Sequence, residues 1–202
     1  MQPKSPVNAV AVKKEEKGAK LRAFVAAYLE SDAVVGLAGD ARTLMLVARS
    51  CDSPAVATVQ AMHTELAQHG FSVYLVLAAE LDDRRLAPLT ATLGWDVRCL
   101  NDIRYLDAHE QLVLGPASAW VGDCMRRDPS KRDAFENFAA DCPATAALAL
   151  KSFRRMWQAA VPVAIAPRSP STAAHTTAAC AAASLVEQSA EQGDGPSALT
   201  RQ

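Results

Sequence analysis

The stretch DAHEQLVLGPASAWVGDCMRRDPSKRDAFENF, from Asp107 to Phe138, decides how the rest of the chain is read. Its apolar run Leu112-Val113-Leu114 breaks at Gly115-Pro116-Ala117-Ser118, resumes as Ala119-Trp120-Val121 and stops at Gly122-Asp123. Two short apolar runs around a Gly-Pro break predict a β-hairpin, with His109 at its entrance. The turn that follows carries Asp123, Arg126, Arg127, Asp128, Lys131, Arg132 and Asp133. Asp128 can cap a helix that has Pro129 at its first position, which predicts a helix over about Pro129 to Ala140 with Phe135 and Phe138 facing in. Polar groups thus converge where a strand pair meets a helix start.

Upstream, TLMLVA (Thr43 to Ala48) and FSVYLVLA (Phe71 to Ala78) are continuous apolar runs of strand length, and WDVRCL (Trp95 to Leu100) reads as a third strand. A helix lies between the first two. Ser53-Pro54 opens it with a cap and a first-turn proline, Ala55, Val59, Met62 and Leu66 mark its buried face, and Gly70 ends it. A second, from Asp82 to Leu93, holds Pro88 inside it and closes at Gly94. Helical spacing also marks Leu21, Phe24, Val25 and Tyr28 before the first strand, and Ala146, Leu150, Phe153 and Trp157 within Pro143 to Ala159. Alternating strands and helices predict an α/β fold: a mixed, largely parallel sheet flanked by helices, to which the hairpin adds two antiparallel strands. Trp120 and Trp157 read as core aromatics.

The 202 residues, half of them hydrophobic, suffice for one domain with a useful core. Residues 1–18 lack periodicity and read as a mobile lead-in, 19–160 as a single α/β domain, and 161–202, rich in Ala, Ser and Thr, as a disordered tail. A net charge of -1 gives no global attraction to nucleic acid or to an anionic membrane, so any such affinity must come from the basic residues after Met125. The five cysteines are odd in number and lack metal spacing, no His, Asp or Glu pair has ligand spacing, and Ala33 to Ala41 lacks the Gly-Lys-Ser/Thr of a phosphate loop. No metal, cofactor or disulfide framework is expected. No run reaches the roughly 18 apolar residues of a membrane span, and reduced thiols suit a cytoplasmic protein.

The order of a strand, a helix ending LAQHGFSVYLVLA, another helix, a short strand, and a hairpin that opens with a histidine and ends AWVGD before a charged turn resembles one half of the phospholipase D-like fold. The resemblance spans roughly Arg42 to Trp157. In that family the hairpin carries His-x-Lys, a later Asp, and Gly-Ser-x-Asn, with the histidine as nucleophile on a phosphodiester. The resemblance implies His109 as that catalytic residue and Gly122 as the motif glycine. Gln111 stands in the place of the Lys, Gly115 or Pro116 in that of the Asp, Asp123 in that of the Ser and Met125 in that of the Asn. Gln for Lys keeps donors but removes charge, and the Asp123 carboxylate repels a phosphate unless Arg126, Arg127 or a metal ion neutralises it.

These departures predict a non-catalytic domain that binds a phosphate-bearing ligand or a protein partner through His109, Gln111, Asp123 and Arg126, with Arg127 and Lys131 completing a basic patch. Two alternatives stay open. One is a phosphodiesterase or nuclease active as a homodimer, since half of the fold carries one histidine and two hairpins must then meet across a twofold axis. The other is a structural or interaction module whose charged turn is closed by its own salt bridges. Arg126 turned toward His109 favours ligand binding or catalysis, and Arg126 paired outward favours the module.

Overall fold

The computed structural model describes residues 9–38, 41–78 and 83–163. In chain order they form β1 (Val10–Val12), α1 (Lys17–Leu29), α2 (Asp32–Val35), β2 (Thr43–Ala48), α3 (Pro54–Ala61), α4 (His63–Gln68), β3 (Ser72–Leu77), α5 (Asp83–Ala87), β4 (Asp96–Cys99), β5 (His109–Leu114), β6 (Ser118–Cys124), β7 (Ala134–Ala139), α6 (Pro143–Ala159) and β8 (Val161–Pro162). The strands make one sheet in the order β1-β7-β6-β5-β2-β3-β4-β8. β2, β3 and β4 run parallel, and β5 and β6 form the expected antiparallel hairpin, with Leu44 opposite Leu114 where β5 joins β2. The mixed α/β sheet is therefore as predicted. Strands β7, beside the hairpin, and β1 and β8, at the two edges, add antiparallel pairings, which outnumber the parallel ones.

Side chains alternate across a strand, so each apolar run feeds two cores. Leu44, Leu46, Leu75, Leu77, Leu112 and Leu114 face one side, against Leu21 and Val25 of α1 and Val56 and Val59 of α3. On the other, Val47 and Val76 meet Phe153 and Met156 of α6, and Val113 and Ala119 meet its Ala146 and Ala149. Coverage on both faces explains why these strands read as continuous hydrophobic runs. Each buried Leu or Val contributes about 1.5–3 kcal/mol of transfer free energy.

The helix ends follow their local chemistry. Ser53 Oγ accepts from Ala55 N at 3.2 Å and Pro54 takes the first turn, as expected. Pro88 has no N–H to give the helical ladder, and the helix continues from Ala87 as a π turn over Pro88–Thr92. Arg98 of β4 holds α6 by donating to Trp157 O at 3.2 Å while its guanidinium lies 4.2 Å from the Trp157 ring centre.

Two readings are corrected. The segment predicted as a helix over Pro129 to Ala140 is a turn followed by β7. Asp128 Oδ1 accepts from Ser130 N and Ser130 Oγ at 3.1 and 2.7 Å, the interaction of an Asx turn rather than of a cap. Ser130 to Asp133 offers no apolar side chain to a helical stripe, whereas the residues after it complete a ladder with Trp120 opposite Phe138. Phe135 consequently faces solvent, 74% exposed, and Phe138 packs edge-on against Phe24 at 5.7 Å. Part of the expected lead-in also joins the sheet: Val10–Val12 pairs with β7, and Val12 is buried. The tail from residue 164 onward, with His175 and Cys180, lies outside the described residues.

Candidate functional site

The site occupies the end of the sheet where β2 finishes and β5 begins. The β5–β6 register shifts between His109, opposite Cys124, and Gln111, opposite Val121, so β6 carries one extra residue there. Gly122 lies in that bulge beneath the Trp120 indole, and a Cβ on it would sit 2.5 Å from the ring. His109 Nδ1 lies 2.9 Å from Gly122 O. A carbonyl can only accept, so Nδ1 carries the proton and a neutral ring keeps its Nε2 lone pair. The His109 ring is otherwise exposed.

The other predicted residues do not gather around it. Gln111 is 4% exposed and its Nε2 donates to Ala149 O of α6 at 3.0 Å, so its amide serves the core rather than a ligand. Asp123 Oδ1 accepts from Cys124 N at 2.8 Å, and its other oxygen lies 3.6 Å from Arg127 Nη1. Arg126 Nε donates to Asp107 at 2.6 Å, and Lys131 Nζ lies 3.2 Å from Asp128. Arg126 is thus paired outward, though to Asp107 rather than to Asp128. Such exposed pairs contribute about 0–1 kcal/mol each, yet they partly neutralise the basic patch.

Sequence reasoning passed over a second set of residues behind the hairpin. Glu110 alternates to the face opposite His109 and Gln111, is 2% exposed, and accepts from Arg49 N at 3.0 Å. Burial pushes its carboxyl up to about 7, against the opposing effect of bonds from Arg49 N and Ser53. Glu136 of β7, also 2% exposed, accepts from Trp120 Nε1 at 3.3 Å and lies 3.7 Å from Lys17 Nζ. Its carboxyl is likewise raised by burial, with Lys17 working against that rise. Lys17, 3% exposed, donates to Pro129 O at 2.7 Å and so ties α1 to the turn before β7. Glu110 shares the strand parity of the buried Leu112 and Leu114, a signal present in the sequence.

A cavity of about 360 Å³ opens on the α6 side, next to Ala108. Arg104, Tyr105, Ser152 and Arg155 line it, together with Asp102. Asp102 is committed to Arg104, at 2.6 Å, whereas Arg155 has no ion-pair partner among the described residues. Arg104 and Arg155 against Asp102 leave the lining one positive charge in excess. Ser152 and Arg155 are three apart on α6 and so share a face. Among the described residues no cluster of three or more His, Cys, Asp or Glu could hold a metal ion, and no helix is long and apolar enough to cross a membrane.

No family model matches the chain, and no curated protein matches it by sequence. Among solved structures it is similar to Nuc, a phospholipase D family member from Salmonella typhimurium, with 14% identity and a TM-score of 0.49 over 66% of this chain and 90% of that one. It is also similar to TrmBL2, an archaeal chromatin protein whose structure shows a novel mode of DNA binding. There the identity is 13% and the TM-score 0.51, over 81% of this chain and 57% of that one. At such identities a likeness speaks to fold alone.

Proposed function

We propose that this chain is a non-catalytic domain of the phospholipase D-like kind that binds a phosphate-bearing group. The observation that carries the reading is the cavity beside Ala108, where Arg155 lacks an acidic partner among the described residues and Ser152 stands on the same helical face. The placement of Gln111 supports the loss of catalysis. A phosphoryl-transfer site needs donors aimed at the oxygens that gain charge, and removing one such donor costs about 3–4 kcal/mol. Gln111, at the lysine position, is neutral and already engaged by Ala149 O. His109 alone then lacks the groups that would stabilise its transition state. The pairing of Arg126, Arg127 and Lys131 with carboxylates speaks for the structural module as far as the charged turn is concerned and, with the net charge of -1, against a nucleic-acid duplex, so the phosphate-binding reading rests on the cavity beside Ala108.

Titration with inorganic phosphate, followed by amide chemical shifts, tests this. The expected result is saturable binding that Arg155→Ala weakens roughly tenfold, the weight of a charge-assisted hydrogen bond, while Arg126→Ala leaves it unchanged. Bis(p-nitrophenyl) phosphate should not be turned over. Turnover that rises with dimer concentration and vanishes in His109→Ala would replace this reading with the homodimeric phosphodiesterase. Binding of phosphate equally by native protein and Arg155→Ala would leave the structural module.

A further inference from the structure

The outer face of α6 carries a positive charge that no carboxylate among the described residues balances. Pro143–Ala159 contains no Asp or Glu, and its Lys151, Arg154 and Arg155 are exposed at the three- and four-residue spacing that shares one side of a helix. None of these cations has an ion-pair partner among the described residues. Elsewhere the surface cations Lys20, Arg22, Arg104, Arg126, Arg127 and Lys131 each lie 2.6–3.6 Å from a carboxylate, so α6 departs from the pattern of the rest of the surface. The helix dipole does not account for the difference, since it favours cations in the last turn and none of the three lies there.

One turn earlier the same side of α6 is apolar. Leu148 is 71% exposed three positions before Lys151, and the exposed Ala144 and Ala147 beside it are small enough to let a second helix approach closely. A helix that presents an apolar residue and then carboxylates complements this face in both shape and charge. A nucleic-acid backbone would use the cations but gain nothing from Leu148. A bilayer needs an apolar stripe, whereas Leu148 is the one large apolar side chain that α6 exposes.

We propose that the outer face of α6 docks an acidic amphipathic helix of a partner protein. An apolar side chain of that helix rests on Leu148, and its carboxylates meet Lys151, Arg154 and Arg155. The proposal does not rest on phosphate binding: Leu148, Lys151 and Arg154 do not line the cavity beside Ala108, and Arg155 alone belongs to both.

The probe is the synthetic helical peptide acetyl-AAALAAEEAAEEAAA-amide, titrated into the full chain at low salt and followed by NMR. The expected result is saturable shifts at Leu148, Lys151 and Arg154, with at least roughly tenfold weaker binding of the analogue that has Gln for every Glu. Lys151→Glu combined with Arg154→Glu should abolish the shifts, and Leu148→Ala should weaken binding roughly threefold or more. Lys20→Glu, on α1, should leave binding unchanged. All these positions are solvent-facing, so the melting temperature of each variant stays near the native one. Absence of saturable shifts up to about 1 mM peptide would overturn the proposal. So would equal binding of the Gln analogue, unaltered binding in Leu148→Ala, or an equal loss in Lys20→Glu. Tighter binding of oligothymidylate, or of phosphatidylglycerol vesicles, than of the peptide would replace the partner helix with a nucleic acid or a membrane surface.

Discussion

Glu110 shows how one residue sets the pH behaviour of this fold. Its folded-state pKa of about 7 lies above the ordinary carboxyl value of 4.5, because burial disfavours the charged form. Between those values the folded protein binds the proton that the unfolded chain releases, so stability falls as pH rises from about 4.5 to about 7, and the effect levels off above that. Over the whole window the shift is on the order of 3 kcal/mol. Glu110→Gln keeps an acceptor for Arg49 N and cannot ionise, so urea midpoints of this variant should decline less across the same window. A decline parallel to that of the native protein would assign the titration elsewhere, Glu136 being the next candidate. The Lys17–Glu136 pair behaves differently. Lys17→Met should destabilise by about 3–5 kcal/mol, since it leaves a buried carboxylate without its cation, and Lys17→Met with Glu136→Leu should recover most of that loss. Equal denaturation midpoints for the single and double variants would contradict this.

Among the elements, β7 separates what can be read from a sequence from what cannot. Phe135 and Phe138 stand at helical spacing after an Asp-Pro signal, and locally only the polar run Ser130 to Asp133 speaks against a helix. What decides against it is the ladder to β6, where Trp120 sits opposite Phe138, a pairing that helical periodicity within the segment does not reveal. The three apolar strands, the hairpin and α6 were legible because each carries its own periodicity. Lys17 and Glu136 were not, because their meaning lies in a partner 119 positions away. Glu110 was half legible, since its parity with Leu112 and Leu114 marks the core face although its charge argues for solvent. If β7 is a strand, Phe135→Ser at the exposed position should change stability by less than about 0.5 kcal/mol, whereas Phe138→Ala should cost about 2–4 kcal/mol through its contact with Phe24. Chemical denaturation measures both, and similar losses would restore the helix.

Across the whole molecule, the sheet is strongest at its middle. β5, β2 and β3 lie at its centre and are covered on both faces, while β1 and β8 are short strands at its rims. Amide hydrogen exchange should therefore be slowest at Leu46, Leu75 and Leu112 and fastest along Val10–Val12 and at Val161. Uniform protection from rim to centre would mean that the sheet opens only as one unit. The tie between Lys17 and Pro129, 112 residues apart, also bears on how the chain is made. At ribosomal speeds of about 5–20 residues per second, the lysine emerges roughly 6–20 s before the carbonyl that will hold it is synthesised. Until then α1 has no reason to leave water at its first turn. The first turn of α1 can thus seat only after the turn before β7 has been made, and a nascent chain halted before Pro129 should still expose Lys17 to amine-reactive reagents.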